Sequence, residues 1–264
     1  MRYGETLWSE LYEGSRPSIS CMQPAVLAVE KALDLAPKTD LSKKALDLAS
    51  SHRKRTVWRM DGGFGCDDKL RWLLDRNYQL VVKGFSGQRA YNLAKQVKRW
   101  DRYGDSWLGQ VVCPINFERE VFCWVKKYPK GNGVQHSYYL TTLKLPAKTF
   151  AMNAYNQRGG AEIEQFRHDK QGLHFSARRK RIFLAQKALV LLNDLAHNLI
   201  ADFYHTALID TPFSAFRHKR IVRDLFSIEG RIEIKDNHLY HIFLAQNHPY
   251  SEAFLPCLLK YCST

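Results

Sequence analysis

Apolar positions along this chain fall at strand and helix spacing in turn, then at strand spacing alone, then at helix spacing again. Residues 5 to 12, ETLWSELY, alternate loosely and end at Glu13-Gly14, which predicts a strand closed by a turn. Pro24 opens PAVLAVEKALDLA, with apolar residues at 26, 29, 33 and 36, so an amphipathic helix is expected to start there and stop before Pro37. After a polar, lysine-bearing linker, TVWRMD (56 to 61) reads as a buried strand that stops at Asp61 and breaks at Gly62-Gly63. Asp67 is expected to cap a helix over DKLRWLLDRN, and YQLVVKGF (78 to 85) reads as the next strand. This alternation is the pattern of an α/β layer.

From 86 to 146 the texture turns to short aromatic runs, WLGQVVCPINF, REVFCWVKKY and SYYLTTLKL, divided by Pro129, Gly131-Asn132-Gly133 and charged turns. An antiparallel β insertion is the expectation. Helical texture resumes at Ala147 and continues through SARRKRIFLAQKALVLLNDLAHNLIADFYH (176 to 205), whose apolar positions 184, 188, 191, 195 and 199 predict a core helix. The tail adds a basic cluster, FRHKRIVR, and a hairpin, RIEIKDNHLYHIFL, turning at Asp236-Asn237.

Charge narrows the partners. With 40 Lys+Arg against 26 Asp+Glu the chain carries +14, and residues 88 to 146 alone hold ten cations against four anions. A polyanion is the natural ligand, nucleic acid before membrane, although a basic sheet can equally be a solvated face. Lys187, Asp194 and His197 exclude a membrane span for the long helix, and the first residues lack the apolar core of a signal peptide. A soluble, cytoplasmic protein is therefore expected. Cys21, Cys66, Cys113, Cys123, Cys257 and Cys262 form no CxxC pair, and His238 and His241 match no familiar zinc spacing with Cys257 and Cys262, so free thiols are expected.

The densest chemistry lies in AYNQRGGAEIEQFRHDKQGL (154 to 173). Spacings of three and four place Tyr155, Arg158 and Glu162 above one another on one helical face, a phenol and a guanidinium beside a carboxylate. Such a pair can simply be solvated, but Gly159 and Gly160 each cost a helix about 1 kcal/mol relative to Ala and suggest a kink or a close approach. Asp61, where a strand ends beside two glycines, is either a turn aspartate or a ligand for Mg²⁺ in phosphoryl transfer. Arg178, Arg179, Lys180 and Arg181 form a cluster able to contact phosphate.

Three segments, WRMDGGFGCDDKLRWLLDRNYQLVVKG (58 to 84), YNQRGGAEIEQFRHDKQGL (155 to 173) and LNDLAHNLIADF (192 to 203), together resemble DDE transposases of bacterial insertion sequences. The resemblance covers nearly the whole chain. It implies an α/β, ribonuclease-H-like core interrupted by the antiparallel β insertion, with a helical and hairpin C-terminal extension. The implied divisions are 1–87 for the first part of the core, 88–146 for the insertion, 147–205 for the glutamate helix and long buried helix, and 206–264 for a basic extension.

By the same resemblance Asp61 is the second catalytic aspartate and Glu162 the glutamate of a site for two Mg²⁺ or Mn²⁺ ions, with Glu164 the fallback in a shifted register. Tyr155 and Arg158 would touch phosphates at the transposon end. The signature lysine is expected seven residues after the glutamate, where Asp169 stands, so Lys170 takes its role with a one-residue shift. Asp34, Asp40 and Asp47 precede Asp61 off any strand, so the first catalytic aspartate is expected to be missing, as in an N-terminally truncated transposase. The implied activity is metal-dependent cleavage of transposon ends followed by attack of the freed 3′-hydroxyl on target DNA, impaired here by that missing ligand. The implied partners are double-stranded terminal inverted repeats, target DNA and further copies in a synaptic complex, in a bacterial, nucleoid-associated setting. A non-catalytic DNA-binding remnant or inhibitor is the alternative, and a nuclease or RNA-acting enzyme on the same fold is a third reading.

Overall fold

The computed structural model describes residues 4–35, 50–146, 149–156, 169–173, 180–236 and 238–263. The chain divides into two compact units, Tyr12–Gly160 and Met1–Leu11 with Ala161–Thr264. Among the described residues no helix is long and apolar enough to cross a membrane.

The first unit is built on a six-stranded mixed sheet. Helix α1 (Met22–Ala32) precedes strand β1 (Val57–Met60), α2 (Asp67–Asp75), β2 (Gln79–Lys83) and α3 (Gly87–Ala94). Strands β3 (Asp101–Tyr103), β4 (Ser106–Val111), β5 (Phe122–Lys130) and β6 (Gly133–Thr141) complete it, in the order β1-β2-β6-β5-β4-β3. Only β1 and β2 run parallel, and the long crossover through α2 is what a parallel pair requires. The remaining strands form the expected antiparallel meander, yet β6 pairs directly with β2, so the meander continues one sheet.

Leu80, Val81 and Val82 of β2 are buried, an unbroken apolar run suited to a strand covered on both faces. One face packs Leu70, Leu73 and Leu74 of α2 with Tyr78, Tyr138 and Leu140, and the other packs Val81, Trp124 and Tyr139 against Phe150. Helix α2 begins after Cys66, and the expected cap Asp67 is its first residue, with both carboxylate oxygens taken by Arg89 of α3 at 2.9 and 3.1 Å. It ends where Asn77 turns left-handed at φ 66°, while Asn77 and Tyr78 return backbone N–H bonds to Leu74 and Leu73.

The second unit holds the long helix α4 (Phe183–Phe203), hairpin β7–β8 (Gly230–Lys235, His238–Leu244) and α5 (Ser251–Cys262). Phe203, Leu208, Phe213, Ile221, Leu225 and Phe254 form its core. Asp236 has φ 50° at the expected hairpin turn, as a primed turn demands.

Two expectations fail in this unit. Residues 5 to 12 form no strand: Asn198 of α4 accepts from the Thr6 N–H and donates to the Thr6 carbonyl, both at 2.8 Å, doing with one amide what a neighbouring strand would do. Nor is the stripe 184, 188, 191, 195 and 199 the core side of α4. Those residues are exposed, and the buried residues are His197, Ile200, Ala201 and Phe203.

Helix α1 is tied to α2 and β2 by one buried charge. Glu30 is fully buried, ion-paired to Arg76, and accepts from Arg76 Nε and Tyr78 Oη, each at 2.9 Å. Arg76 also lies over the Trp72 ring at 4.8 Å. Replacing Arg76 by Ala leaves a buried carboxylate without its cation and should destabilise the unit by about 3–5 kcal/mol in urea unfolding followed by tryptophan fluorescence. A deficit below about 1 kcal/mol would contradict this account of the buried charge.

Candidate functional site

Asp61 follows the last residue of β1 and caps the short 3-10 turn Gly62–Phe64, its Oδ1 accepting from Gly63 N–H at 2.9 Å. The turn role weighed for it is thus real. The residue nevertheless remains exposed, so the carboxylate is presented to solvent at a strand end. The tightest glycine here is neither of the pair beside it but Gly65. A Cβ at Gly65 would lie 2.5 Å from the Lys83 carbonyl oxygen, so the loop carrying Asp61 is held backbone-to-backbone against the end of β2. Gly84 is similarly constrained, because a Cβ there would run into the Tyr138 ring at 1.9 Å.

Register places several side chains on one face near this end of the sheet. Arg59 pairs with Val81, Lys83 with Tyr139, and Tyr139 with Trp124, and paired residues share a face. Val57 and Arg59 share one face of β1, and Asp61 follows the strand at the level of Lys83, its carboxylate turned back onto the Gly63 N–H. Two strand spacings of ~4.8 Å put the Tyr139 backbone roughly 10 Å along the sheet from that level. Tyr155 packs on Tyr139, ring centroids 4.4 Å apart and planes at 64°, within the π-helical segment Phe150–Asn156. Phe150 stacks on Trp124 at 5.7 Å, and Asn156 Nδ2 donates to Tyr103 Oη at 2.9 Å. The segment Phe150–Asn156 is therefore anchored on the face that bears Trp124 and Tyr139.

Lysines complete this face, and sequence reasoning missed them. Burial first, and then the positive charge of Lys83, lower the pKa of Lys126, so the two ammonium groups feel one another across β6. Two cations held together without mutual relief favour an anion between them. Only the register of β2, β6 and β5 brings them together; locally each is an ordinary strand-end or alternating lysine.

The position expected for the signature lysine is used differently. Asp169 is buried and sits 3.0 Å from His197 Nδ1, while His197 Nε2 lies 2.9 Å from the Gly4 carbonyl oxygen. Both ring nitrogens face acceptors, so the doubly protonated imidazolium satisfies them best. Lys170 beside it is exposed, as is Arg181 ahead of α4. Arg158, Glu162, Glu164, Arg178 and Arg179 lie outside the described residues. The six cysteines are free, with Cys262 exposed, Cys257 buried, and burial pushing the buried Cys123 thiol up to about 12.

Among the described residues no group of three or more His, Cys, Asp or Glu side chains could hold a metal ion. Asp61 supplies one hard carboxylate of the type Mg²⁺ and Mn²⁺ take. A mixed α/β sheet with flanking helices is compatible with a ribonuclease-H-like domain of the DDE class. A model of the family described as transposase DDE domain, group 1, matches residues 47–262, and the chain belongs to that family. No curated protein matches it.

The His197 cluster yields a pH dependence. Burial opposes the charge on His197, but the hydrogen bonds it donates to Asp169 and to the Gly4 carbonyl, with the charges of Asp169 and Asp194, together raise its pKa. Burial, and then the charge of Asp169, raise the pKa of Asp194 against the opposing pull of Ser9 and His197. The His218 ring stacks on His197 at 4.5 Å. A raised histidine pKa stabilises below the unfolded value near ~6.5 and loses that contribution as pH climbs through the folded value; a raised carboxylate pKa acts in the same sense. Thermal melting should therefore show the second unit more stable at pH 6 than at pH 8, and His197→Gln should flatten the dependence. A slope unchanged in that variant would contradict the assignment.

Proposed function

We propose that this chain acts in DNA transposition, with Asp61 and Glu162 as carboxylate ligands of divalent metal and double-stranded DNA as substrate. The observation that carries the reading is the exposed Asp61 carboxylate where β1 ends, beside strand β2, whose last residue Lys83 shares a sheet face with Lys126 and with the Tyr139 that Tyr155 packs against. Mg²⁺ or Mn²⁺ held there would supply charge stabilisation for the oxygens exchanged at phosphorus. The chain's own residues do the rest. Lys83 and Lys126 neutralise the phosphates that approach the face, and Tyr155, braced by Tyr139, limits how deeply the backbone can enter. Arg158 is suited to a bidentate phosphate contact. The Gly63 N–H holds one oxygen of Asp61, so the other is turned to a fixed direction. Lys170 and Arg181, both exposed, with Arg178 and Arg179, extend the phosphate-binding set.

Asp61 and Glu162 are the two carboxylates to which the family resemblance gives a metal-binding role. The net charge of +14 supports the non-catalytic DNA-binding reading equally well, and the assay separates the two. Duplexes carrying the terminal inverted repeats of the element are incubated with the chain in Mg²⁺ or Mn²⁺. Metal-dependent nicking at the ends, lost in Asp61→Asn and in Glu162→Gln with DNA affinity retained, is the expected result. Nicking unchanged in Asp61→Asn would refute the site, and binding without nicking in any metal would favour the remnant.

Lys126→Gln and Lys83→Gln should each weaken duplex binding at all sequences and reduce the slope of log affinity against log salt by about one. An unchanged slope would remove both lysines from the interface.

A further inference from the structure

The loop that carries Asp61 leans on a second turn of the same unit, Tyr12–Gly160. The 3-10 turns Ser18–Cys21 and Gly62–Phe64 pack together and meet at Gly63. A Cβ on Gly63 would lie 2.9 Å from Ser18 Oγ and 3.2 Å from Asp61 Oδ1, so a hydroxyl and a carboxylate border one small space that glycine leaves open. Both residues are exposed. The other flank of the loop is unsuited to an anion: around a Cβ on Gly62 the Gly84 and Lys83 carbonyl oxygens, which only accept hydrogen bonds, would stand at 3.6 and 3.9 Å. Ser18 itself is firmly placed. Pro17 fixes the chain ahead of it at φ −63°, Ile19, Met22 and Val26 pack into the core, and Lys69 Nζ donates to Gln23 Oε1 at 2.6 Å. Ser20, in the same turn, uses its hydroxyl locally, donating to the Pro17 carbonyl at 2.7 Å and accepting from Arg16 Nε at 3.1 Å. Among the described residues no such bond engages Ser18 Oγ.

We propose that Ser18 is a phosphate-binding residue of the Asp61 site, its Oγ–H donating to a non-bridging oxygen of the DNA phosphate that meets the divalent metal. The inference rests on the reading of Asp61 as a ligand of that metal. A carboxylate by itself repels the phosphate it has to meet. The metal removes that repulsion, and a donor beside the carboxylate then fixes which way the phosphate oxygens point. A hydroxyl suits this position because it donates without bringing a charge. A lysine or arginine so close to Asp61 would pair with the carboxylate and compete with the metal. Ser18 lies far ahead of Asp61 in the chain, and nothing in the run SRPSIS marks one serine above the others. Only the packing of the two turns sets it apart from Ser20.

Fluorescence anisotropy on the whole 264-residue chain tests it, with duplexes that carry the terminal repeat of the element and a neutral methylphosphonate at one phosphate after another. Binding is read in Mg²⁺, before nicking sets in, and in EDTA. In wild type one phosphate should show a loss of affinity on substitution that is present in Mg²⁺ and absent both in EDTA and in Asp61→Asn. Ser18→Ala should weaken the unmodified duplex about tenfold in Mg²⁺, and the methylphosphonate at that one position should then cost about tenfold less than in wild type. At every other phosphate the two losses should be independent. Ser18→Thr keeps the hydroxyl and should bind like wild type, and the melting temperature should stay unchanged in both variants because the side chain is exposed. Independent losses at the Mg²⁺-dependent phosphate, an unweakened Ser18→Ala, or a Ser18→Thr no tighter than Ser18→Ala would overturn the Ser18 contact and leave the metal reading standing. A walk in which no phosphate depends on Mg²⁺ would overturn the metal reading and the Ser18 contact with it.

Discussion

Leu80, Val81 and Val82 are sealed on both faces of the sheet, so the backbone groups of β2 must find their partners in β1 and β6. That requirement fixes two registers at once, parallel on one side and antiparallel on the other. The first sets the height at which β1 ends and Asp61 begins. The second sets which residue of the meander stands at the height of Lys83, and that is Tyr139. A slip of one residue in either pairing would turn Asp61 or Lys83 to the opposite face. The close contact of Gly65 with the Lys83 carbonyl locks the loop to this arrangement, and the Tyr139 ring then receives Tyr155.

The electrostatics divide accordingly. Acidic groups inside the first unit are neutralised locally: Glu30 by Arg76 and Tyr78, Asp67 by Arg89. Asp61 accepts from the Gly63 N–H and stays exposed at the end of β1. In the second unit the buried carboxylate Asp169 is matched by His197, which leaves Lys170 and Arg181 at the surface.

What local pattern encodes was legible. The strand ending at Asp61, helix α2 with its buried leucines, the apolar run of β2 and the hairpin at Asp236 all follow from short-range periodicity and turn chemistry. What depends on distant partners was not. ETLWSELY looks like a strand because it alternates, and nothing within it announces that the Asn198 side chain will take the place of a strand. The α4 leucines show helical periodicity plainly, but periodicity says that a face is apolar and not what covers it. Lys83 and Lys126 become neighbours only through the β2–β6–β5 register. Asp169 was noticed as a mismatch with a lysine, and its burial against His197 supplies the physical reason. Glu162 and Arg158, the sharpest part of the sequence reading, fall outside the described residues.

The central proposal is that Asp61 and Glu162 are both ligands of divalent metal. Iron-directed scission tests it without requiring turnover: Fe²⁺ replaces Mg²⁺, ascorbate and peroxide generate short-lived radicals at the ion, and mass spectrometry maps the cut polypeptide. The account predicts cuts near Asp61 and near Glu162, both suppressed by excess Mg²⁺ and both lost in Asp61→Asn. Cuts confined to other segments, or cuts indifferent to Mg²⁺, would contradict it.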